Sequence, residues 1–473
     1  MRFKQLGKTW LNSSVCGFGT YRVQNNEQHA LALEKALKNG INLIDTSTNY
    51  SDGESEILVG KVIKKLVSEG AIKREDIILV SKAGYIQGQS LNVIFQKEQM
   101  GMGYKGIVKC SQEMWHCFDP EFIKDQITAS LKRTAQEYID VYLIHNPEYF
   151  LIYVYIDDIN ELRSLYYKRL ELAFEQLEKE VQNGRIKSYG VSSNTFGYNT
   201  LAKEFTSLEK LIEIADSISP HNHFGVIQLP LNLIERGAAA TKNQQNNSLS
   251  VLELAKKSNI GVLTNRPINA VVDNNLFKLS EIECKGDTNE IELKEYMQNL
   301  MELEKYIRDK VLRKLKRQDY DPMVDCLSIS EDLLKNFGTY RTLESLAFDR
   351  DRLFIARMKF AVKRLLENLK LKEEAVENLK KYDKSIEQLF ELYESFIASG
   401  INEKRNPIIE QINKFLSEKA VDLTLAQKAV LANISLDEVS CCLVGMTSVK
   451  YVDDVLEIVD FDKELKIAEF YSA

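Results

Sequence analysis

Short apolar runs alternate with amphipathic stretches over the first 270 residues. The runs are Val15–Gly19, Asn42–Asp45, Ile77–Lys82, Val141–His145, Lys187–Ser192, Val226–Leu229 and Gly261–Thr264. Each is nearly continuous and apolar, the pattern of a strand buried on both faces of a parallel sheet. The stretches between them read as helices with marked ends. Asp119-Pro120-Glu121 supplies an N-cap followed by proline at the first helical position, opening a helix toward Tyr138. Asn183-Gly184 is a helix stop. Repeated strand-then-helix units imply right-handed parallel crossovers. An eighth apolar run, Ser440–Gly445, comes only near the C-terminus.

Eight such units predict an α/β chain, a (β/α)8 TIM barrel, with Met1–Ser13 as a small hairpin over its bottom. The span between runs seven and eight, from about Pro267 to Val439, is far longer than one barrel helix requires. It holds two long helical patterns, Ile291–Arg317 and Leu353–Ser399, the second ending before Gly400. In the second, Met358, Val362, Leu365, Leu369, Val376, Leu379, Ile386, Phe390, Tyr393 and Ile397 form a heptad seam interrupted by Lys372 and Asp383. The seam suits a helical insertion packed on itself or on the barrel. It also suits a dimerisation or partner-binding arm. The expected organisation is residues 1–270 as barrel strands one to seven, 271–420 as a helical insertion, and 421–473 as the last strand and helix. A second insertion, Gly84–Met114, reads as a mobile loop near the active face.

Composition narrows the function classes. The chain has 473 residues, 44% hydrophobic and 28% charged, a globular balance with material for a large core. A net charge of −7 and a pI near 5.6 argue against nucleic acid or an anionic membrane as the main partner. No apolar run approaches the ~18 residues of a membrane span. The opening MRFKQLGKTWLNSSV lacks the apolar core of a signal peptide, and a cytoplasmic location is expected. The seven cysteines, Cys16, Cys110, Cys117, Cys284, Cys326, Cys441 and Cys442, are odd in number and scattered, as for thiols in a reducing compartment. Cys110, His116 and Cys117 match no zinc spacing, and no metal is expected.

Four polar residues stand at or just beyond strand ends: Asp45, Tyr50, Lys82 and His145. In a (β/α)8 barrel the C-terminal ends of the strands form one rim, where active sites lie. Taken singly, such an Asp is a cap, such a Lys is solvated and such a His is structural. Placed together they make a proton-transfer site. A tyrosine with a pKa of about 10 is a weak acid at neutral pH. An ammonium beside it, Lys82 held by Asp45, lowers that value. His145 can donate a hydrogen bond to a substrate oxygen, and Tyr50 can exchange a proton with it. The accompanying hydride has to come from a cofactor. No GxGxxG follows a strand, so a Rossmann cofactor site is not expected.

At these residues the chain resembles the aldo-keto reductase family. Gly40-Ile-Asn-Leu-Ile-Asp45-Thr-Ser-Thr-Asn-Tyr50, with the trailing GESE, is similar to the family's Asp-and-Tyr motif. Val80-Ser-Lys82 and Tyr142-Leu-Ile-His145 match its Lys and His segments. The resemblance covers nearly all of residues 1–270 and about 420–458, and implies a catalytic tetrad and an extended nicotinamide dinucleotide, NAD or NADP. It implies cofactor contacts from Gly19, Thr20 and Tyr21, from Asp45, from Ser192 and Ser193 in the place of a GVSN stretch, and from Gln228. Asn265 stands where many members stack a Tyr on the nicotinamide, and Arg266 could reach a phosphate or pair with a nearby carboxylate. Gly445, Met446 and Thr447 open the last helix, whose N-terminus can take phosphate. The phrase LVGMTSV is similar to the galactose-type sugar dehydrogenase branch, which uses NAD, so the resemblance favours NAD slightly. Lys450 could still meet a 2′-phosphate.

The resemblance implies an NAD(P)-dependent oxidoreductase interconverting a small aldehyde, ketone or sugar and its alcohol. The alternative is a cofactor-binding redox-sensing or interaction protein with the helical insertion as its partner-binding arm. The expected partner is a small carbonyl or alcohol, with an oligomer or protein contact through the insertion left open.

Overall fold

The computed structural model describes residues 1–272, 275–282, 286, 288–368, 371–461, 463–464 and 466–472. Cys284 and Leu369 therefore lie outside the described residues. The chain divides into two compact units, Met1–Ser280 with Glu410–Ala473, and Glu281–Ile409.

The first unit is a closed parallel barrel of eight strands. They are β1 (Cys16–Gly19), β2 (Leu43–Asp45), β3 (Ile78–Ala83), β4 (Ile139–His145), β5 (Ile186–Ser192), β6 (Phe224–Pro230), β7 (Gly261–Asn265) and β8 (Cys441–Gly445). Every strand read from the apolar runs is present, within two residues at each end. They pair in chain order, and β8 closes the ring on β1 with Cys442 opposite Cys16 and Gly445 opposite Gly19. Leu43, Ile78, Val80, Val141, Leu143, Val226, Leu263 and Leu443 fill the interior as one core. These aliphatic side chains leave no channel, so chemistry is confined to the rim.

The N-terminal hairpin pairs Phe3–Gln5 with Asn12–Ser14. Leu6 from its turn is fully buried in the barrel core. Gly7 takes φ +55° there, and a Cβ on it would lie 2.2 Å from the Gly261 nitrogen. Only glycine fits that approach. The helix opened by Asp119 runs Pro120–Thr134, with the Asp119 side chain accepting from Glu121 N–H; it stops before Tyr138 because Ala135 turns left-handed at φ 51°.

The segment after β3 is built, where a mobile loop was expected. Tyr85–Ile86, Val108–Lys109 and Trp115–His116 form a three-stranded antiparallel sheet, and Gly88–Gln99 is a helix. Ile86, Ile94, Val108 and Trp115 of this segment are buried.

The second unit is helical. Its two expected long helices are both shorter or broken. The first, Glu290–Lys310, ends well before Arg317 because Val311 and Leu312 turn into the core, fully buried. The second is two helices, Ile355–Asn368 and Glu373–Glu403, the latter with Lys372 as an extended N-cap. A single helix over Leu353–Ser399 would be about 70 Å long. Breaking it lets both pieces cover one core. Gly400 does not end the helix: it lacks the left-handed φ of a C-cap glycine, and the chain continues helically through it to Glu403. Met358, Val362, Leu365, Leu379, Ile386, Phe390, Tyr393 and Ile397 pack with Leu293, Met297, Leu300 and Ile307. The seam is thus spent largely within this unit. Among the described residues no helix is long and apolar enough to cross a membrane.

Candidate functional site

Asp45 and His145 end β2 and β4, Lys82 is the next-to-last residue of β3, and Tyr50 follows on the loop after β2. Parallel strands bring all four to one rim. Lys82 is fully buried and donates to both Asp45 carboxylate oxygens, at 2.8 and 2.7 Å, and to the Thr46 carbonyl at 3.0 Å. These contacts use its three N–H donors. Its Nζ lies 4.8 Å from the centre of the Tyr50 ring, facing the π system rather than hydrogen-bonding the phenol. The His145 ring meets Tyr50 edge-on with centroids 6.0 Å apart.

The electrostatics differ from the sequence expectation in one respect. Burial pushes the Tyr50 phenol well above its ordinary value, and the Asp45 carboxylate and Tyr21 add to the rise. Lys82, paired with Asp45, does not offset this rise. Burial lowers the Lys82 pKa, with Asp45 opposing. Burial, then Lys82, then His116, hold His145 well below its ordinary value, so its imidazole is neutral at pH 7.

A second set of polar groups joins this one. Gln228 Nε2 donates to Asp45 Oδ1 at 2.8 Å, and its Oε1 accepts from Ser192 Oγ at 2.9 Å and from Asn265 Nδ2 at 3.4 Å. A carboxylate only accepts, so Asp45 fixes which way the Gln228 amide points. That in turn aims the Asn265 amide nitrogen at Gln228. Asn265 Oδ1 is left buried without a hydrogen-bond partner among the described residues. Hydroxyl and amide groups of this kind match a ligand carrying a primary carboxamide.

The remaining expected contacts divide. Tyr21 is 68% exposed, with its ring edge-on to Tyr50 at 5.3 Å. Gly445 is exposed, and nothing lies within 4 Å of where a Cβ on it would stand. It sits at the mouth of helix Val449–Ile458, whose first turn carries no acidic residue. That end of the rim fits a phosphate. Gly19 lies against β8, where a Cβ would meet the Val444 carbonyl at 3.3 Å. Three side chains are not brought to the site. Thr20 is buried, donating to the Asp45 carbonyl at 2.9 Å and accepting from Ser55 at 2.7 Å. Ser193 is buried in a hydroxyl cluster with Thr195 at 3.1 Å and Thr206 at 3.4 Å. Met446 is fully buried, which leaves only backbone from it; the Thr447 carbonyl accepts from Gln28 at 3.2 Å. Arg266 takes a left-handed φ of 54° and pairs with Glu235 at 2.8 Å, the carboxylate partner that was one of its two readings.

Sequence reading missed several neighbours. Ser47 Oγ lies 3.2 Å from His145 Nδ1, and the Tyr85 ring packs edge-on to the His145 ring at 4.8 Å. Buried Glu148 accepts from Asn194 N–H at 2.8 Å and so ties the loop after β4 to the loop after β5. Their closeness in sequence to strand ends was the available signal. His116, weighed only as a metal ligand, donates from Nε2 to the His145 carbonyl at 2.7 Å. Among the described residues no group of three or more His, Cys, Asp or Glu side chains could hold a metal, and the six described cysteines are unpaired.

The chain is 28% identical over 249 residues to the uncharacterized oxidoreductase YqkF of Bacillus subtilis, covering 51% of this chain and 65% of that protein. It is 30% identical over 172 residues to the NADH-specific methylglyoxal reductase of Escherichia coli, covering 34% and 47%. It is 27% identical over 191 residues to the NAD(P)H-dependent D-xylose reductase of Candida tropicalis, covering 38% and 48%. The chain thus spans about half to two thirds of the length of these relatives. The aldo/keto reductase family model matches residues 15–271, more than half of the chain. With an eight-stranded parallel barrel and that match, the chain belongs to the aldo-keto reductase family.

Proposed function

We propose that this protein is an NAD(P)-dependent oxidoreductase that interconverts a small aldehyde, ketone or sugar and its alcohol. The observation that carries this reading is the convergence of Tyr50, His145 and the Lys82–Asp45 pair on one rim. Relatives named as NADH- and NAD(P)H-dependent reductases support it. A bound nicotinamide dinucleotide supplies the hydride to the carbonyl carbon.

The chain's own residues do the rest. Tyr50 keeps its proton at neutral pH and gives it from Oη to the carbonyl oxygen as negative charge develops there. The Lys82 ammonium, 4.8 Å from the ring centre, stabilises the phenolate left behind. Neutral His145 donates one N–H to the same oxygen and orients it. Ser192, Gln228 and Asn265 hold the carboxamide of the cofactor, and Gly445 with the following helix N-terminus holds a phosphate. NAD is slightly favoured over NADP on the likeness of LVGMTSV to the galactose-type sugar dehydrogenase branch.

The test follows reduced-nicotinamide absorbance against a panel of aldehydes, ketones and sugars, with NADH and NADPH binding titrated by fluorescence. Cofactor binding with carbonyl-dependent oxidation is expected. Binding of neither dinucleotide would sink the reading.

A further inference from the structure

The sheet inserted after β3 reaches the rim at His145. The chain leaves β4 through Asn146, whose φ is 51°, and Asn146 N–H donates across to the Ser192 carbonyl at 2.7 Å. The last β3–β4 register pair is Ala83 with Ile144, so the His145 carbonyl lies beyond that ladder. A buried carbonyl without a donor costs about 1–3 kcal/mol. His116 from the inserted sheet fills the need: its Nε2 stands 2.7 Å from that oxygen. A carbonyl only accepts, so Nε2 carries the proton. The contact passes over Gly84, where a Cβ would lie 2.3 Å from the His145 oxygen and 2.7 Å from His116 Nε2. Only glycine leaves that path open.

The same sheet holds the imidazole itself. Tyr85, opposite His116 in register, packs its ring edge-on to His145 at 4.8 Å. Its hydroxyl accepts from Asn146 Nδ2 at 2.7 Å. Tyr149 stacks on the His116 ring at 5.4 Å and keeps it in plane. His145 is therefore gripped at its carbonyl by His116 and at its ring by Tyr85.

We propose that His116 and Tyr85 are positioning residues, which set the orientation of the His145 imidazole from the inserted sheet. This rests on the reading of His145 as the group that orients the substrate oxygen. A misplacement of about 1 Å at such a group can cost on the order of 100-fold in rate, so the inserted sheet would act on the rate through His145.

The test uses His116→Leu, which removes the donor, and His116→Gln, whose amide N–H reaches the place of Nε2. The first readout is independent of turnover. The chain has only five histidines, so the His145 ring nitrogens can be assigned by nitrogen NMR in the cofactor-free protein. His116→Leu is expected to shift the His145 ring signals and lower kcat at least tenfold, with NADH affinity within twofold of wild type. His116→Gln is expected to restore both. If His116→Leu does not fold, His116→Gln with Tyr85→Phe carries the comparison: the Gln variant keeps the wild-type His145 signals, and loss of the Asn146 contact moves them. Unmoved His145 signals in both His116→Leu and Tyr85→Phe would overturn the proposal. So would a His116→Gln variant whose His145 signals depart from wild type as far as those of His116→Leu. A protein inactive on every carbonyl would fail the proposed function while the NMR comparison still decided the mount.

Discussion

Gln228 and Asp45, 183 positions apart, share a 2.8 Å hydrogen bond across the mouth of the barrel. The bond couples the proton-transfer group to the groups assigned to the carboxamide. Replacing Gln228 with Leu leaves Ser192 and Asn265 without their shared acceptor. NADH affinity should fall about tenfold, the loss of about 1.4 kcal/mol. ADP-ribose, which has no carboxamide, should bind as before. Equal losses for both ligands in a fluorescence titration would remove Gln228 from the carboxamide site.

Tyr50→Phe removes the proton donor and little else, since the ring contacts with Tyr21 and His145 survive. Turnover should fall by about 100- to 10,000-fold, while the cofactor dissociation constant stays within twofold. Steady-state kinetics on a substrate accepted by the wild type decides it; undiminished kcat would reassign the acid.

Lys82→Met strands the Asp45 carboxylate in the barrel, where it is 4% exposed. Breaking a buried pair from one side costs about 3–5 kcal/mol. Removing both charges, in Lys82→Met with Asp45→Asn, should recover part of that loss in chemical denaturation. Strict additivity of the two single changes would show that the pair is not coupled.

Glu148 gives stability a pH dependence. Burial pushes its native pKa up to about 7 from 4.5, against the hydrogen bonds from Asn194 and Ser193 and the charge of Arg266. Between those values the unfolded carboxyl ionises while the native one keeps its proton. Its contribution is therefore complete below pH 4.5 and is lost as pH rises through about 7. The loss is on the order of 3 kcal/mol. Glu148→Gln should flatten the stability profile across that window. Parallel profiles for the two proteins would contradict the assignment.

Glu235→Gln releases Arg266 from its ion pair. The freed guanidinium raises affinity for the more highly charged dinucleotide, so the NADPH-to-NADH affinity ratio should rise severalfold at low salt. The gain should shrink as ionic strength screens it. An unchanged ratio would place Arg266 away from the 2′-phosphate.

The barrel was legible because its signal is local. An apolar run such as Ile78-Leu79-Val80 marks a doubly buried strand wherever it lies in the chain, and eight of them in parallel leave few ways to close. The rim residues were legible for the same reason: Asp45, Lys82 and His145 are the last or nearly last residues of their strands. The helical unit was less so. A heptad seam states that a helix has a partner face, but not whether it is one rod or two. The helices on either side of the break before Glu373 share a core with Leu293, Met297 and Leu300, about 70 to 80 positions earlier in the chain.

The sequence by itself determined the strand order, the rim that carries the four polar residues and the chemistry those residue types permit. Tertiary structure decided which way each side chain spends its hydrogen bonds. Lys82 gives all three donors to Asp45 and Thr46, so it meets Tyr50 through the ring face. Ser193 turns into a hydroxyl cluster, Arg266 is held by Glu235, and His116 reaches His145 over Gly84. Such choices depend on which donors and acceptors are left when distant segments meet, and nothing in the local order of residues records that balance.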